Sequence, residues 1–360
     1  MQFVKIPHIE SVWDNIQIKT LSPSTFAWVN RGCGYQVLLL KALQTFNNHT
    51  LLLPSNRNVI LGKIIHKLYE LTQKGELHSI ADLKNKWDEL VTLEKEKLTI
   101  YYPTLQNVGL NDYDKRNGAI RYAMGIMRKL NAVPSTSETT KVYLEKWLDC
   151  TRLGLIGIAD KLITDGEYVD VFDFKSGHVL DETGNIKTEY VIQLHLYATM
   201  CQHLFMGAPR HLTLVDIDGV NHDIPYSQAY SKQLLSKVQE TVLGLNNIIA
   251  TREFKKYAKP ELGLCANCGC RHVCKYRTIS AESYYQTITG EVMEMPSTNM
   301  YVLCKGSDTL YLSGLDAYNV DNPKEYIGRT LTFVNIIRAS QFADDYTYKI
   351  TENTLVYEQE

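Results

Sequence analysis

Apolar positions along the chain follow two rhythms before a third takes over near its end. From Ser24 to Gln44 (STFAWVNRGCGYQVLLLKALQ) they recur at helical spacing with a break near Gly32 and Gly34. From Val59 to Lys74, Leu61, Ile64, Ile65, Leu68 and Leu71 form the stripe of an amphipathic core helix. Ser79 can cap a further helix, SIADLKNKWDELVTLEKEKL, and DYDKRNGAIRYAMGIMRKL reads as another; both are polar enough for partial exposure. The second rhythm is strand-like: VYLEKWLDC, LGLIGIADKLIT, EYVDVFDFKS and, after a helix over about Glu189–Phe205, RHLTLVDID. A long helix follows from about Tyr226 to Tyr257. Beyond about Thr287 the chain turns to short β-rich runs, GEVMEM, MYVLC, TLYLS, RTLTFVNII, TYKIT and TLVYE. The pattern predicts an α/β domain over residues 1–280, with helices flanking a central sheet and a helical insertion, and a small all-β module over 285–360. An oligonucleotide-binding-type barrel fits the length of that module, as other small barrels do, and a structural or partner-docking role is an equal reading of it.

Composition narrows the class. Of 360 residues, 44% are apolar and 22% charged, which excludes a disordered or fibrous chain. No run of about 18 apolar residues occurs, and the start, MQFVKIPHIESVWD, lacks a signal-peptide pattern, so a cytoplasmic protein is expected, in a bacterial or phage-infected cell, with no membrane partner. In a reducing compartment eight cysteines point to metal or redox chemistry rather than a disulfide framework. Net charge is −2, so a polyanion would need a local basic patch. Two clusters qualify: Arg252, Lys255, Lys256, Lys259, Arg271, Lys275 and Arg277 around a cysteine-rich segment, and Lys115, Arg116, Arg121, Arg128 and Lys129 on the helical insertion. No Walker motif is present, so any unwinding is expected from a partner in trans.

Between Gly157 and Gly177 (GIADKLITDGEYVDVFDFKSG) three charges interrupt an apolar, strand-like passage. Asp165-Gly166 is a two-residue hairpin signal, and with that turn paired positions sum to 331, so Asp160 faces Val171. Asp160, Asp173 and Lys175 then share a face, with the carboxylates as diagonal neighbours roughly 6–8 Å apart. Two carboxylates at that separation repel unless a cation lies between them, and a hard divalent ion with oxygen ligands fits. Alone, D-x-K more often marks a solvated or internally paired hairpin face.

Neighbouring motifs change that balance. The G-x-x-D of Gly157 and Asp160, the D-x-K of Asp173 and Lys175, and the Q-x-x-x-Y of Gln193 and Tyr197 resemble the RecB-type branch of the PD-(D/E)XK nuclease superfamily. GKIIHKLYE offers His66 where that branch carries a helical metal-binding histidine. The resemblance implies a restriction-endonuclease-like core of mixed β-sheet flanked by helices, and hydrolysis of DNA phosphodiester bonds. It implies Mg²⁺ or Mn²⁺ held by His66, Asp160, Asp173 and the Phe174 carbonyl, with Lys175 orienting the nucleophile. Gln193 would position the nucleophile or Lys175, and Tyr197 would contact the DNA backbone or brace the site.

LCANCGCRHVCKY supplies Cys265, Cys268 and Cys274, and LSPSTFAWVNRGCGYQ supplies Cys33. This arrangement is similar to AddB-type and CRISPR-associated RecB-like exonucleases, in which one early and three late cysteines hold a [4Fe–4S] cluster. Four thiolates suit tetrahedral zinc equally. Cys270 lies inside the triplet, although the family spacing favours Cys268 as the ligand. Cys150, Cys201 and Cys304 read as buried small hydrophobes. The family's exonucleases imply single-stranded DNA or DNA ends as substrate, and a helicase, recombination, CRISPR or phage-replication partner. The alternative function is a weakly catalytic or non-catalytic subunit with a zinc staple that docks a helicase or recombination partner.

Overall fold

The computed structural model describes residues 2–102, 105, 109–132, 140–280, 283–317, 320, 322–339 and 346–360. Its first strand, β1 (Val4–Ile6), is followed by α1 (Pro23–Arg31) and α2 (Gly34–Gln44), which part at the expected break. α3 (Arg57–Gln73) starts from Asn56, whose side chain accepts a hydrogen bond from the Val59 N–H at 3.0 Å. α4 (Ile80–Tyr101) starts from a capping box: the Asp82 N–H donates to the Ser79 hydroxyl, and the Ser79 N–H donates to the Asp82 carboxylate. α5 (Tyr113–Ala132) completes this helical layer.

A five-stranded sheet follows, made of β2 (Lys141–Cys150), β3 (Leu155–Thr164), β4 (Tyr168–Phe174), β5 (Ala208–Val215) and β6 (Asn221–Ile224), adjacent in that order. Only the β4–β5 pair is parallel, and α6 (Thr188–His203) makes the crossover between them. Apolar residues occupy most of the circumference of α6, which a helix tolerates only when covered on all sides. It packs against the sheet and against α1. Leu148, Cys150, Leu155 and Ala159 are buried on one side of β2 and β3, while the alternate positions Trp147 and Ile158 are exposed. Tyr69 of α3 and Tyr122 of α5 stack edgewise at 4.8 Å, and Tyr69 meets Phe174 at 5.5 Å, tying the helical layer to the end of β4.

The β3–β4 turn differs from the expected one. Thr164 pairs with Val169 and Lys161 with Phe172, so paired numbers sum to 333 rather than 331, and Asp160 falls opposite Asp173 instead of Val171. Asp165 is the cause: its carboxylate accepts hydrogen bonds from the Glu167 and Tyr168 N–H groups and widens the turn. α7 (Gln228–Thr251) also ends earlier than its periodicity suggests, at Arg252, whose φ is 59°. α8 (Leu262–Ala266) opens the cysteine segment.

The C-terminal module is a closed barrel. β7 (Gln286–Ser297), β8 (Met300–Lys305), β9 (Asp308–Ser313), β10 (Thr330–Arg338) and β11 (Thr347–Lys349) run in the order β7-β8-β9-β11-β10, and β10 pairs back onto β7. The β9–β11 pair is parallel and the others antiparallel, the connectivity of an oligonucleotide-binding-type barrel. β12 (Leu355–Gln359) continues along β10 beyond β11 and takes β1 in parallel on its other edge. The first strand of the chain therefore lies in the C-terminal sheet. Val292, Tyr301, Leu303, Leu331, Phe333 and Ile336 give the barrel its own core, whereas Val334, Leu355 and Tyr357 pack into the core of the α/β region. Among the described residues no helix is long and apolar enough to cross a membrane.

Candidate functional site

Two groups of side chains meet where β3 and β4 separate. The ladder between these strands ends at Lys161 and Phe172, and beyond it the Phe174 N–H donates to an Asp160 carboxylate oxygen at 2.7 Å. The other Asp160 oxygen lies 3.5 Å from Nδ1 of His66 on α3. Glu145, opposite Asp160 in the β2–β3 register, places a carboxylate oxygen 3.9 Å from the same nitrogen. His66, Glu145 and Asp160 each offer one ligand atom, all within 4.8 Å of one another. Gly62, one turn before His66, allows this approach: a Cβ there would sit 3.2 Å from the Ser176 hydroxyl.

The sequence alone did not single out Glu145. It has a φ of 48° in the middle of a strand, a left-handed conformation that costs a side-chain-bearing residue about 1–2 kcal/mol. Such strain persists only where the surroundings fix it, and here it accompanies a carboxylate held against His66.

The second group faces α6. The buried Asp173 carboxylate accepts a hydrogen bond from Gln193 Nε2 at 2.9 Å, and its other oxygen is 2.6 Å from Lys175 Nζ. Lys175 in turn donates to Gln193 Oε1 at 3.1 Å, so Gln193 ties both ends of the D-x-K pair. Tyr197, one turn further on, donates its hydroxyl to the Ile158 carbonyl at 2.6 Å and is buried, so it braces β3. The Phe174 ring lies against Tyr69 and faces His66 edge-on at 6.3 Å.

Burial and like charge set the acidities. Burial pushes the Glu145 carboxyl up to about 7, with the Asp160 carboxylate adding to the effect. Burial alone would lower His66, but Asp160 beside it reverses this and raises the imidazole to about 9. Asp160 resists burial through His66, Lys175 and the Phe174 N–H, and stays below the usual carboxylate range. Burial lifts Asp173 to about 6 against the pull of Lys175. Lys175 is held above its ordinary value, because Asp173 and Asp160 outweigh its desolvation. The centre is thus a mixed imidazole and carboxylate donor set with a charged lysine alongside.

A family model for the PD-(D/E)XK nuclease superfamily matches residues 20–275. The chain belongs to the PD-(D/E)XK nuclease superfamily. No individual curated protein matches it. The match runs from the strand of residues before α1 to the end of the cysteine segment and leaves the barrel outside. PD-(D/E)XK nucleases use Mg²⁺ or Mn²⁺, and the donor chemistry of His66, Glu145 and Asp160 fits such an ion.

Two clefts flank this superfamily's site. One of about 430 Å³ is lined by Lys63, His66, Lys67 and Glu145. The other, about 1110 Å³, lies beyond Ser176 and Gly177 and carries Lys115, Arg121 and Lys187. Several of the basic residues expected to form a patch lie in ion pairs. Arg252 contacts Asp14, Lys275 contacts Glu10, Arg116 contacts Asp88 and Arg121 contacts Asp218. Arg271 and Arg277 instead reach the barrel, donating to Asn335 and to the Thr289 hydroxyl.

Cys33, Cys265, Cys268 and Cys274 line a single cavity together with Lys259, Arg271 and Arg277. Cys270 is not among its lining residues and is fully buried; the Cys270 N–H lies 3.4 Å from the Cys268 sulfur. The hydrogen bond from Cys270 lowers the Cys268 thiol to about 7, and burial raises Cys274 to about 11. Cys150 and Cys201 are buried as expected, but Cys304 is half-buried on the barrel, with its sulfur 3.2 Å from the Gly306 carbonyl.

Proposed function

We propose that this chain is a divalent-metal-dependent deoxyribonuclease of the RecB-like branch, acting as an exonuclease on single strands or DNA ends. The observation that carries the reading is the convergence of His66, Glu145 and Asp160 beside the Asp173–Lys175–Gln193 group. His66 and Asp160 belong to the expected ligand set, Asp173 and the Phe174 carbonyl complete it, and Glu145 is a further candidate ligand beside them. An Mg²⁺ or Mn²⁺ ion held there supplies water of lowered pKa and offsets charge building on the phosphate. Lys175 lies beside Asp173 and Gln193, where its ammonium can orient the nucleophile. Gln193 keeps the ammonium aimed by bonding both it and Asp173, and Tyr197 stiffens the strand that carries Asp160.

The four cysteines hold a [4Fe–4S] cluster in this reading. Tetrahedral zinc, with Zn–S of about 2.3 Å, would draw its thiolates to about 3.8 Å from one another. All four cysteines line one cavity, and it is the resemblance to cluster-bearing relatives that favours iron and sulfide over zinc there. Arg271, Arg277 and Lys259 line the same cavity and suit an anionic group. A motor or recombination partner acting in trans would complete the exonuclease.

Purified protein on end-labelled single strands with Mn²⁺ tests the enzyme reading. Cleavage should vanish in Asp173→Asn and in Lys175→Ala while thermal melting changes little. Retained turnover in Asp173→Asn preparations free of contaminating nuclease would refute it. Iron, sulfide and zinc analysis after anaerobic purification decides the metal, and one zinc per chain without iron would refute the cluster.

A further inference from the structure

We propose that Trp147, backed by Ile158, is a stacking ledge for an unpaired nucleobase of the polynucleotide whose phosphate lies at the His66–Glu145–Asp160 centre. The inference rests on the nuclease reading and adds the element that would grip a base. Trp147 and Ile158 are directly opposite one another in the β2–β3 register, so their side chains share a face. Ile158 and Asp160 are two residues apart on β3 and share that face too, about 7 Å apart along the strand. The intervening Ala159, with Leu148 on β2, points the other way and is buried under α6.

On the site's face, His66 approaches Asp160, while the surface opens to solvent at the next pair: Trp147 is 54% exposed and Ile158 45%. Trp147 and Ile158, paired and half exposed one step from a metal-type donor set, present a flat aromatic face backed by an aliphatic one rather than a charged contact. A planar π face one nucleotide spacing from the scissile phosphate suits them. Stacking of this kind is indifferent to base identity, as a general nuclease requires, and it needs a base whose face is free. A base inside a duplex is already stacked on both sides. The backbone would lie in the cleft that Lys63 lines with His66 and Glu145, where Lys67 is paired with Glu70. The ledge therefore selects single-stranded polynucleotide at this centre.

The test compares fluorescein-labelled oligothymidylate with the same strand carrying a run of abasic sites, bound to the full chain in metal-free buffer. Trp147→Ala should weaken oligothymidylate binding about tenfold and leave the abasic strand unchanged, with Trp147→Phe within about twofold of the parent. In Mn²⁺ cleavage, Trp147→Ala should raise KM with kcat retained. Trp147→Gln, a polar residue suited to an exposed strand position, repeats the measurement if the alanine variant folds poorly. Equal losses on both strands, or none on either, would overturn the ledge while the parent still cleaves. Loss of self-association in Trp147→Ala with unchanged DNA binding would likewise overturn it and mark the β2 edge as a contact between copies. A parent that neither binds nor cleaves oligothymidylate sinks the nuclease reading itself.

Discussion

The α/β region and the barrel carry opposite charge. Residues 283–360 hold five Lys and Arg against eleven Asp and Glu, a net of −6, while the rest of the chain holds 33 against 29, a net of +4. They also differ in what they bury. Around the β3–β4 fork the α/β region encloses Asp173 and Gln193 beside Lys175, and it strains Glu145. In the barrel the buried polar side chains are chiefly Thr287, Thr332 and Thr354, together with Glu358, which Arg329 neutralises at 2.8 Å. Buried charge is costly and gathers at the β3–β4 fork, whereas left-handed non-glycine residues occur in both regions, Glu145 in one and Asn335 in the other. The barrel has the connectivity of an oligonucleotide binder but a charge that repels polyanions, so its topology does not decide its role. Its evident contribution is to cover the cysteine segment: Tyr357 packs on His272 with ring centroids 4.6 Å apart, and His272 reaches the Leu51 carbonyl at 2.9 Å.

Breaking the link between the ends of the α/β region should have the largest effect. Cys33 lies more than 230 residues before Cys265, so the proposed shared cluster would close a very long loop. Cys33→Ser should lose absorbance near 400 nm and stability on the order of 5 kcal/mol by the loop-closure argument. Cys304→Ser should keep both, as read by visible spectra and denaturant melts. Next comes the seam with the barrel. Tyr357→Ala should cost about 3–5 kcal/mol of stability with turnover preserved at low temperature, because it empties the space over His272 without touching the β3–β4 fork. Unchanged melting would show the two regions to be independent.

Glu145 sharpens the contrast between function and stability. Glu145→Gln should slow Mn²⁺-dependent cleavage at least about a hundredfold, and Glu145→Gly should do the same while raising stability by up to about 1 kcal/mol, since glycine accepts its φ of 48°. A glycine variant that melts lower would mean the strand is not strained there.

The last expected effect is absent at neutral pH: acid sensitivity at the seam. Burial drives His272 down to about 3 from 6.5, so between those values the unfolded chain binds the extra proton. Stability contributed by the neutral ring is complete above about pH 6.5 and is lost as pH falls towards 3. A His272→Asn variant should show a flatter dependence of melting temperature on pH across that window.

Much of the α/β region was legible because its signals are local. The Ser79 box, the break after Arg31 and the D-x-K on β4 depend on neighbours within a few positions, and the order of motifs sufficed to suggest the superfamily. Glu145 escaped notice because, within KVYLEKWLDC, it looks like any solvent-facing glutamate. Only its place opposite Asp160, and the arrival of His66 from α3, make it a candidate ligand. The hairpin register slipped by two because the Asp165 carboxylate competes for turn N–H groups, which the Asp-Gly signal does not reveal. Arg252 and Lys275 have their ion-pair partners, Asp14 and Glu10, more than 200 residues away, which the sequence does not reveal.

The sequence by itself determined the helices, the strands, the order of the motifs and the β character of the tail, since periodicity and capping act over a few residues. Tertiary structure decided the closure of the barrel, the pairing of β1 with β12, the inclusion of Glu145 and the gathering of four distant cysteines around one cavity. Each of these depends on contacts between distant segments, whose cost in loop entropy is met only when the whole core packs at once.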